Sequence, residues 1–259
     1  MFYNAIKDAY PEIQIISNCD GSIEPLDHPA DLYDVHIYNR AAELFRKKNT
    51  FNSASRTGPK VFVSEYAVKD DKDPANATLL AALAEAAFLI GLEHNSDVVQ
   101  MASYAPLFVN DSDRTWLPDA IVFNSWQQYG TPSYWMQTFF RESSGALIHP
   151  FTITSSYSDS LAASAITWQD AENSFLRVKI VNFGSLAVNL TIRVTGLQVG
   201  VNTMKSSVTI LTSNNFLDGN SFDNPNKIVP VASTLPNAGD GMRTMLRPYS
   251  LISFDLALG

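Results

Sequence analysis

A chain of 259 residues, 46% hydrophobic and 17% charged, has the composition of a folded globular protein and the length for one large domain or two ordinary ones. Its net charge of −8 and pI near 4.9 argue against nucleic acid or an anionic membrane surface as the main partner, since either favours a concentrated basic face. One cysteine, Cys19, permits no intrachain disulfide, and His28, His36, His94 and His149 lack the paired spacing of a zinc site, so no metal or other cofactor is expected.

The chain opens with Phe2, Ala5, Ile6 and Ala9 on one helical face and Tyr10-Pro11 as a stop, the pattern of the closing turns of an amphipathic helix. This segment has neither the basic nor the apolar region of a signal peptide, and no stretch reaches the roughly 20 apolar residues of a membrane span. As encoded, the chain is expected in the cytosol. From Ile13 strand and helix alternate: Ile13–Ser17 reads as a strand closed by Asn18, Cys19, Asp20 and Gly21, and Leu32–Tyr38 as the next, with His36 and Tyr38 on one face. A helix is expected over Arg40–Lys48, then a polar connection to the strand Val61–Val68, which carries Glu65.

Asp73-Pro74 has the form of an N-cap and first helical residue, opening the strongest helix of the chain, whose run from Leu79 to Leu92 is apolar enough to be buried on most sides. Val98–Ala105 follows as a strand, 106–119 as a long loop containing Trp116, and Pro132–Ser143 as a helix ended by Gly145. This alternation predicts a parallel sheet with helices packed on it. Beyond Gly145 the pattern becomes that of half-buried antiparallel strands, at Ala162–Trp168, Leu176–Val181, Val188–Val194, Val208–Leu211 and Ser250–Leu256, with turn residues between them. The expected organisation is an α/β unit over 1–148 and an all-β sandwich over 149–259. Four strand-helix units fit either an open doubly wound sheet or the second half of an eight-strand barrel; periodicity does not separate them, and the helix-end start favours the half-barrel.

Glu65 needs a physical reason for its place, because an ionised group buried without partners costs several kcal/mol. It is either a catalytic carboxylate at the mouth of a β/α barrel, where C-terminal strand ends carry the chemistry, or a strand-end acid turned to solvent or paired with Lys60 or Lys69.

The run Phe62-Val63-Ser64-Glu65-Tyr66-Ala67 resembles the plant α-L-arabinofuranosidases of glycoside hydrolase family 51, as do Asp31 to Tyr38, Ala84 to Phe88, Ala102 to Phe108, Tyr129 to Trp135, Val178 to Asn182 and Ser253 to Leu256. The resemblance covers nearly the whole chain. It implies a (β/α)8 TIM-type barrel, here its second half with strands five to eight, followed by a C-terminal, jelly-roll-like β-sandwich. It also implies a retaining hydrolysis of terminal arabinofuranosyl groups of arabinan and arabinoxylan. Carried over by position, Glu65 matches the nucleophile, and His36 and Tyr38 match residues beside the sugar, able to hold Glu65 ionised by hydrogen bonding. Trp116 and Trp126 are expected to stack on sugar rings or to pack locally.

A retaining glycosidase needs a second carboxyl about 5–5.5 Å from the first. The family's acid/base Glu follows an Asn, in a Gly-Asn-Glu type motif, and this sequence contains no such motif. By the resemblance the chain starts just downstream of that residue; Asp20 and Asp34 are the nearest acids, and nothing in the sequence places either for the role. The expectation is a family member inactive alone, whose open barrel edges pair with a complementing chain or a second copy. The alternatives are a non-catalytic carbohydrate- or partner-binding remnant and a truncated gene model. The family's address is the cell wall, with which the sequons at Asn76, Asn110 and Asn189 agree.

Overall fold

The computed structural model describes residues 2–70, 72, 74 and 76–259. Helix α1 (Phe2–Ala9) leads to strand β1 (Ile16–Ser17), strand β2 (Leu32–Asn39), helix α2 (Ala41–Arg46) with a 3-10 turn at Lys47–Asn49, strand β3 (Lys60–Val68), helix α3 (Leu79–His94) and strand β4 (Val99–Ala102). The four strands make one sheet in the order β1-β2-β3-β4, parallel throughout, as strand-helix alternation requires. The apolar face of α1 is not buried: Phe2 is 83% exposed, and the helix is tethered by its polar side, where Lys7 and Tyr3 both reach Asp31.

Helix α3 begins at Leu79 with Thr78 as its N-cap, later than Asp73-Pro74 suggests; Pro74 lies in a turn and Asp73 outside the described residues. The reason is tertiary. The orphan N–H groups of Leu79 and Leu80 donate to the carbonyls of Asp218 and Phe216, so remote backbone caps the helix. From Ala81 to Leu92 every residue of α3 is buried. The helix also crosses the 3-10 turn after α2 so closely that a Cβ on Gly91 would lie 2.0 Å from the Lys48 carbonyl oxygen.

The stretch expected as a loop, 106–119, carries strand β5 (Phe108–Asn110), which forms a small sheet with β6 (Ile121–Phe123) and β7 (Gln128–Gly130) beyond it, and the helix that follows divides into α4 (Pro132–Gln137) and a 3-10 segment, Thr138–Ser143. Strands β8 (Leu147–Ile148), β9 (Leu161–Gln169), β10 (Ser174–Asn182), β11 (Val188–Arg193), β12 (Val201–Thr212), β13 (Val231–Thr234), β14 (Gly241–Leu246) and β15 (Ser250–Leu258) complete the chain. Six of these form an antiparallel sheet, β13-β12-β15-β10-β9-β8, and the β11-β14 pair covers one face of it to close a sandwich.

Alternation along β10 sends Leu176, Val178 and Ile180 into the sandwich core, with Val188, Met242 and Leu246 opposite. The other face of the sheet packs on α3, so β10 is buried on both sides where the sequence suggests one. Its charges are accordingly paired. Lys179, fully buried, meets Glu93 of α3, which also accepts from Ser143 and Ser164; Arg177 grips Asp255 through Nε at 2.7 Å and Nη2 at 3.1 Å and also reaches Glu142. One apolar cluster therefore runs from the parallel sheet through α3 to Ala162, Val181, Leu211 and Leu251.

Candidate active site

In a parallel sheet the C-terminal strand ends are where side chains and following loops converge, and β2 and β3 bring their acids together there. The register pairs Asp34 with Phe62 and Val35 with Val63, then jumps to pair His36 with Glu65, which leaves Ser64 as an extra residue in β3. Simple alternation would send Ser64 and Glu65 to opposite faces. The bulge brings both to the face of Asp34, His36 and Tyr38, while Val35, Ile37, Val63 and Tyr66 pack into the core behind it.

The contacts follow from that placement. Tyr38 Oη donates to Glu65 Oε2 at 2.8 Å, and His36 Nδ1 lies 3.4 Å from the same oxygen. Both fall on Oε2; Oε1 carries no hydrogen bond among the described residues. The other ring nitrogen of His36 meets Asp34 Oδ2 at 3.0 Å, and Ser64 Oγ donates to Asp34 Oδ1. Burial and the hydrogen bond to Glu65 push the Tyr38 phenol well above its ordinary pKa, so it serves as a fixed donor. The Glu65 side chain is 39% exposed, enough for a ligand to reach it. Lys60 and Lys69 turn elsewhere: Lys60 bonds the carbonyls of Arg56 and Asp97, and the Lys69 ammonium sits 4.0 Å from the Trp116 ring centroid. A half-exposed carboxylate held on one oxygen by a phenol, with an imidazole 3.4 Å away, can act as a nucleophile or as a base.

Trp116 joins this group, its ring edge-on to Tyr38 at 5.7 Å. Trp126 does not. It stands 78% exposed on the turn between β6 and β7, with no ring partner among the described residues. Asp20 Oδ1 is occupied by the Ser22 N–H and hydroxyl, whereas Asp34, for which no role was legible in the sequence, is bound into the site through His36. Asn110 and Asn189 are exposed, but the Asn76 amide is spent on the backbone of Asp70.

A second constellation escapes sequence reading. At the end of β1, Ser17 Oγ and His28 Nε2 are 2.7 Å apart, and His28 Nδ1 lies 2.6 Å from Asp27. The Cys19 N–H also donates to Ser17 Oγ, so the three side chains and this amide tie the end of β1 to the loop that follows it. A hollow of about 490 Å³ lies between α4 and the six-stranded sheet, lined by Trp135, Arg177 and Ser253, and none of the Glu65 group borders it.

Residues 64–250 match the family model described as the α-L-arabinofuranosidase C-terminal domain. Alpha-L-arabinofuranosidase 1 of Arabidopsis thaliana is 57% identical over 99% of this chain and 38% of its own length, and alpha-L-arabinofuranosidase 2 of the same plant is 56% identical over 98% and 37%. The chain thus spans well under half the length of these curated relatives. Among solved structures, the arabinose-bound MgGH51 α-L-arabinofuranosidase matches 100% of this chain and 42% of its own, with a TM-score of 0.87 at 25% identity. The α-L-arabinofuranosidase from Thermotoga maritima, in its arabinose complex, matches 98% and 60% with a TM-score of 0.71; at 19% identity this is a likeness of fold.

Proposed function

The chain belongs to the α-L-arabinofuranosidases, a family of glycoside hydrolases, and from that premise we propose that Glu65 is the nucleophile of a retaining hydrolysis of terminal α-L-arabinofuranosyl groups, as in arabinan or arabinoxylan. The observation that carries the reading is the asymmetry of its two oxygens. Tyr38 holds Oε2, with His36 Nδ1 3.4 Å from it, which fixes the carboxylate and leaves Oε1 to attack the anomeric carbon. Attack forms a glycosyl ester and expels the leaving oxygen; water then cleaves the ester, with net retention. Asp34 orients the imidazole from the far side, and Trp116 offers an aromatic wall beside Tyr38. Trp126 is proposed to meet more distant sugar units.

The acid that protonates the leaving oxygen matches no residue of this sequence and has to be supplied from outside these 259 residues. General acid catalysis contributes typically 10²–10⁴-fold, and a polysaccharide leaving group depends on it most. By themselves, then, these residues bind and react with an activated glycoside but do not turn over arabinan. A complementing segment or chain, closing the free edges at β1 and β4, would bring the acid to about 5–5.5 Å from Glu65.

A cyclophellitol-type arabinofuranoside probe tests the assignment. It should label Glu65, located by mass spectrometry of the peptide, and should leave Glu65→Gln unmodified; label on any other carboxylate refutes it. The absent acid/base motif favours a second reading, a non-catalytic carbohydrate-binding remnant, for which arabino-oligosaccharides would bind the chain while the probe left Glu65 untouched.

A further inference from the structure

The buried span of α3 carries one acid, Glu85, whose side chain is wholly shielded from solvent. Its Oε1 accepts from the Val68 N–H at 2.9 Å, at the end of the strand that bears Glu65. The partner is unusual for a backbone N–H within a sheet, and the register explains it. The Lys69 N–H donates back to Asn39 at the end of β2, so the Val68 N–H, one residue earlier, points to the opposite side, toward β4. But β4 pairs with β3 only as far as Val63 with Ala102, the Ser103 N–H donates to the Val63 carbonyl, and the chain then turns away through Tyr104. Glu85 fills the place of the strand that has left.

Its other oxygen faces Ser133 of α4, whose hydroxyl also faces Tyr104. None of these three oxygens has a well-formed hydrogen bond among the described residues; with the Val68 N–H of β3, they form a buried polar cluster between α3, α4 and the segment after β4. The Tyr104 ring packs edge-on against Tyr66, the residue after Glu65, with centroids 5.6 Å apart. The next carbonyl in the chain, of Ala105, accepts from Tyr38 at 3.4 Å. The end of β3 and the segment that follows β4, which reaches Tyr38 through Ala105, are thus backed by one cluster.

We propose that Glu85 is a positioning residue for Glu65: its carboxyl replaces the departed strand partner at Val68 and, with Ser133 and Tyr104, fixes the end of β3, which bears Glu65, and the segment after β4, whose Ala105 carbonyl accepts from Tyr38. The inference rests on reading Glu65 as the nucleophile. The groups facing the cluster are Tyr66, Tyr104 and Ser133, with Asp119 beyond Tyr104, and none is a cation. Burial accordingly pushes the carboxyl up to about 7, and below that pH Glu85 is a neutral acid whose Oε1 still accepts from the Val68 N–H.

Glutamine reproduces that pattern at the same length, aspartate shortens the reach by one methylene, and alanine removes it. Glu85→Gln should therefore label Glu65 with the activated probe within about three-fold of the wild-type limiting rate. Glu85→Asp and Glu85→Ala should be slower by about ten-fold or more at an unchanged half-saturating probe concentration, because a displacement near 1 Å can cost up to about 10²-fold. Amide exchange at Val68, followed without any substrate, should speed up in the Asp and Ala variants and stay slow in Gln. Wild-type limiting rates in folded Asp and Ala variants overturn the proposal; if alanine prevents folding, the Asp and Gln pair decides. A wild-type chain that does not label at all removes the nucleophile reading instead, and Val68 exchange then decides the anchor alone: unchanged protection in Glu85→Asp refutes it.

Discussion

The neutral Glu85 has a consequence for stability that can be worked through with its sign. Its carboxyl has an ordinary value of 4.5 and is raised to about 7 in the folded chain, where burial is the dominant cause. Between those values the folded state holds a proton that the unfolded state has lost, so stability falls as pH rises, by about 1.4 kcal/mol per pH unit. The window is about 2.5 units, 7 minus 4.5, and the loss about 3 kcal/mol, complete above pH 7. Glu85→Gln cannot ionise, and it keeps the acceptor for Val68. Urea unfolding of both proteins at pH 5 and pH 8 isolates the effect, because other titrating groups, Asp119 among them, are common to the pair. The wild-type chain should lose about 2.5 kcal/mol more than Glu85→Gln over that range, since pH 5 already lies half a unit inside the window. Equal losses would mean that Glu85 is already ionised at pH 5, with the Ser133 and Tyr104 hydroxyls outweighing its burial, and the reasoning would fail.

Other perturbations probe the site and the seam behind it. Tyr38→Phe removes the hydrogen bond to Glu65 Oε2; a bond to a charged group is worth about 1.5–3 kcal/mol, and since Glu65 is half-exposed the lower end applies, a roughly ten-fold slower labelling by the activated probe. An unchanged labelling rate would show that Tyr38 does not tune the carboxylate. Lys179→Met strands Glu93 beside hydroxyls alone and should cost about 3–5 kcal/mol in urea unfolding, with part regained on adding Glu93→Gln; a single variant as stable as the wild type would contradict the buried pairing. Gly91→Ala sets a methyl against the Lys48 carbonyl and should destabilise by about 1–3 kcal/mol, visible as a lower Tm; an unaltered Tm would mean that the helix can shift away.

Much of this architecture is local in origin, and the sequence therefore determined it. Apolar alternation and turn residues give the strands of the C-terminal sheet, strand-helix alternation gives the parallel one, and the motif around Glu65, with His36 and Tyr38 two residues apart, contains the heart of the site. Tertiary structure decided what depends on a neighbouring element. The start of α3 at Leu79 is set by carbonyls more than 130 residues away, so no capping rule along the chain could find it. The Leu176–Val181 strand reads as half-buried because its Arg and Lys alternate with apolar residues, and only the arrival of α3 and its Glu93 makes that charged face interior. The same holds for Glu85, whose helix pattern foretells burial but not the strand end it meets. Above all, a one-residue bulge at Ser64 chooses the face on which Glu65 stands. Side-chain direction in a strand has a period of two, so whether Glu65 and Tyr38 share a face is a matter of register, and register is fixed between strands rather than within either one.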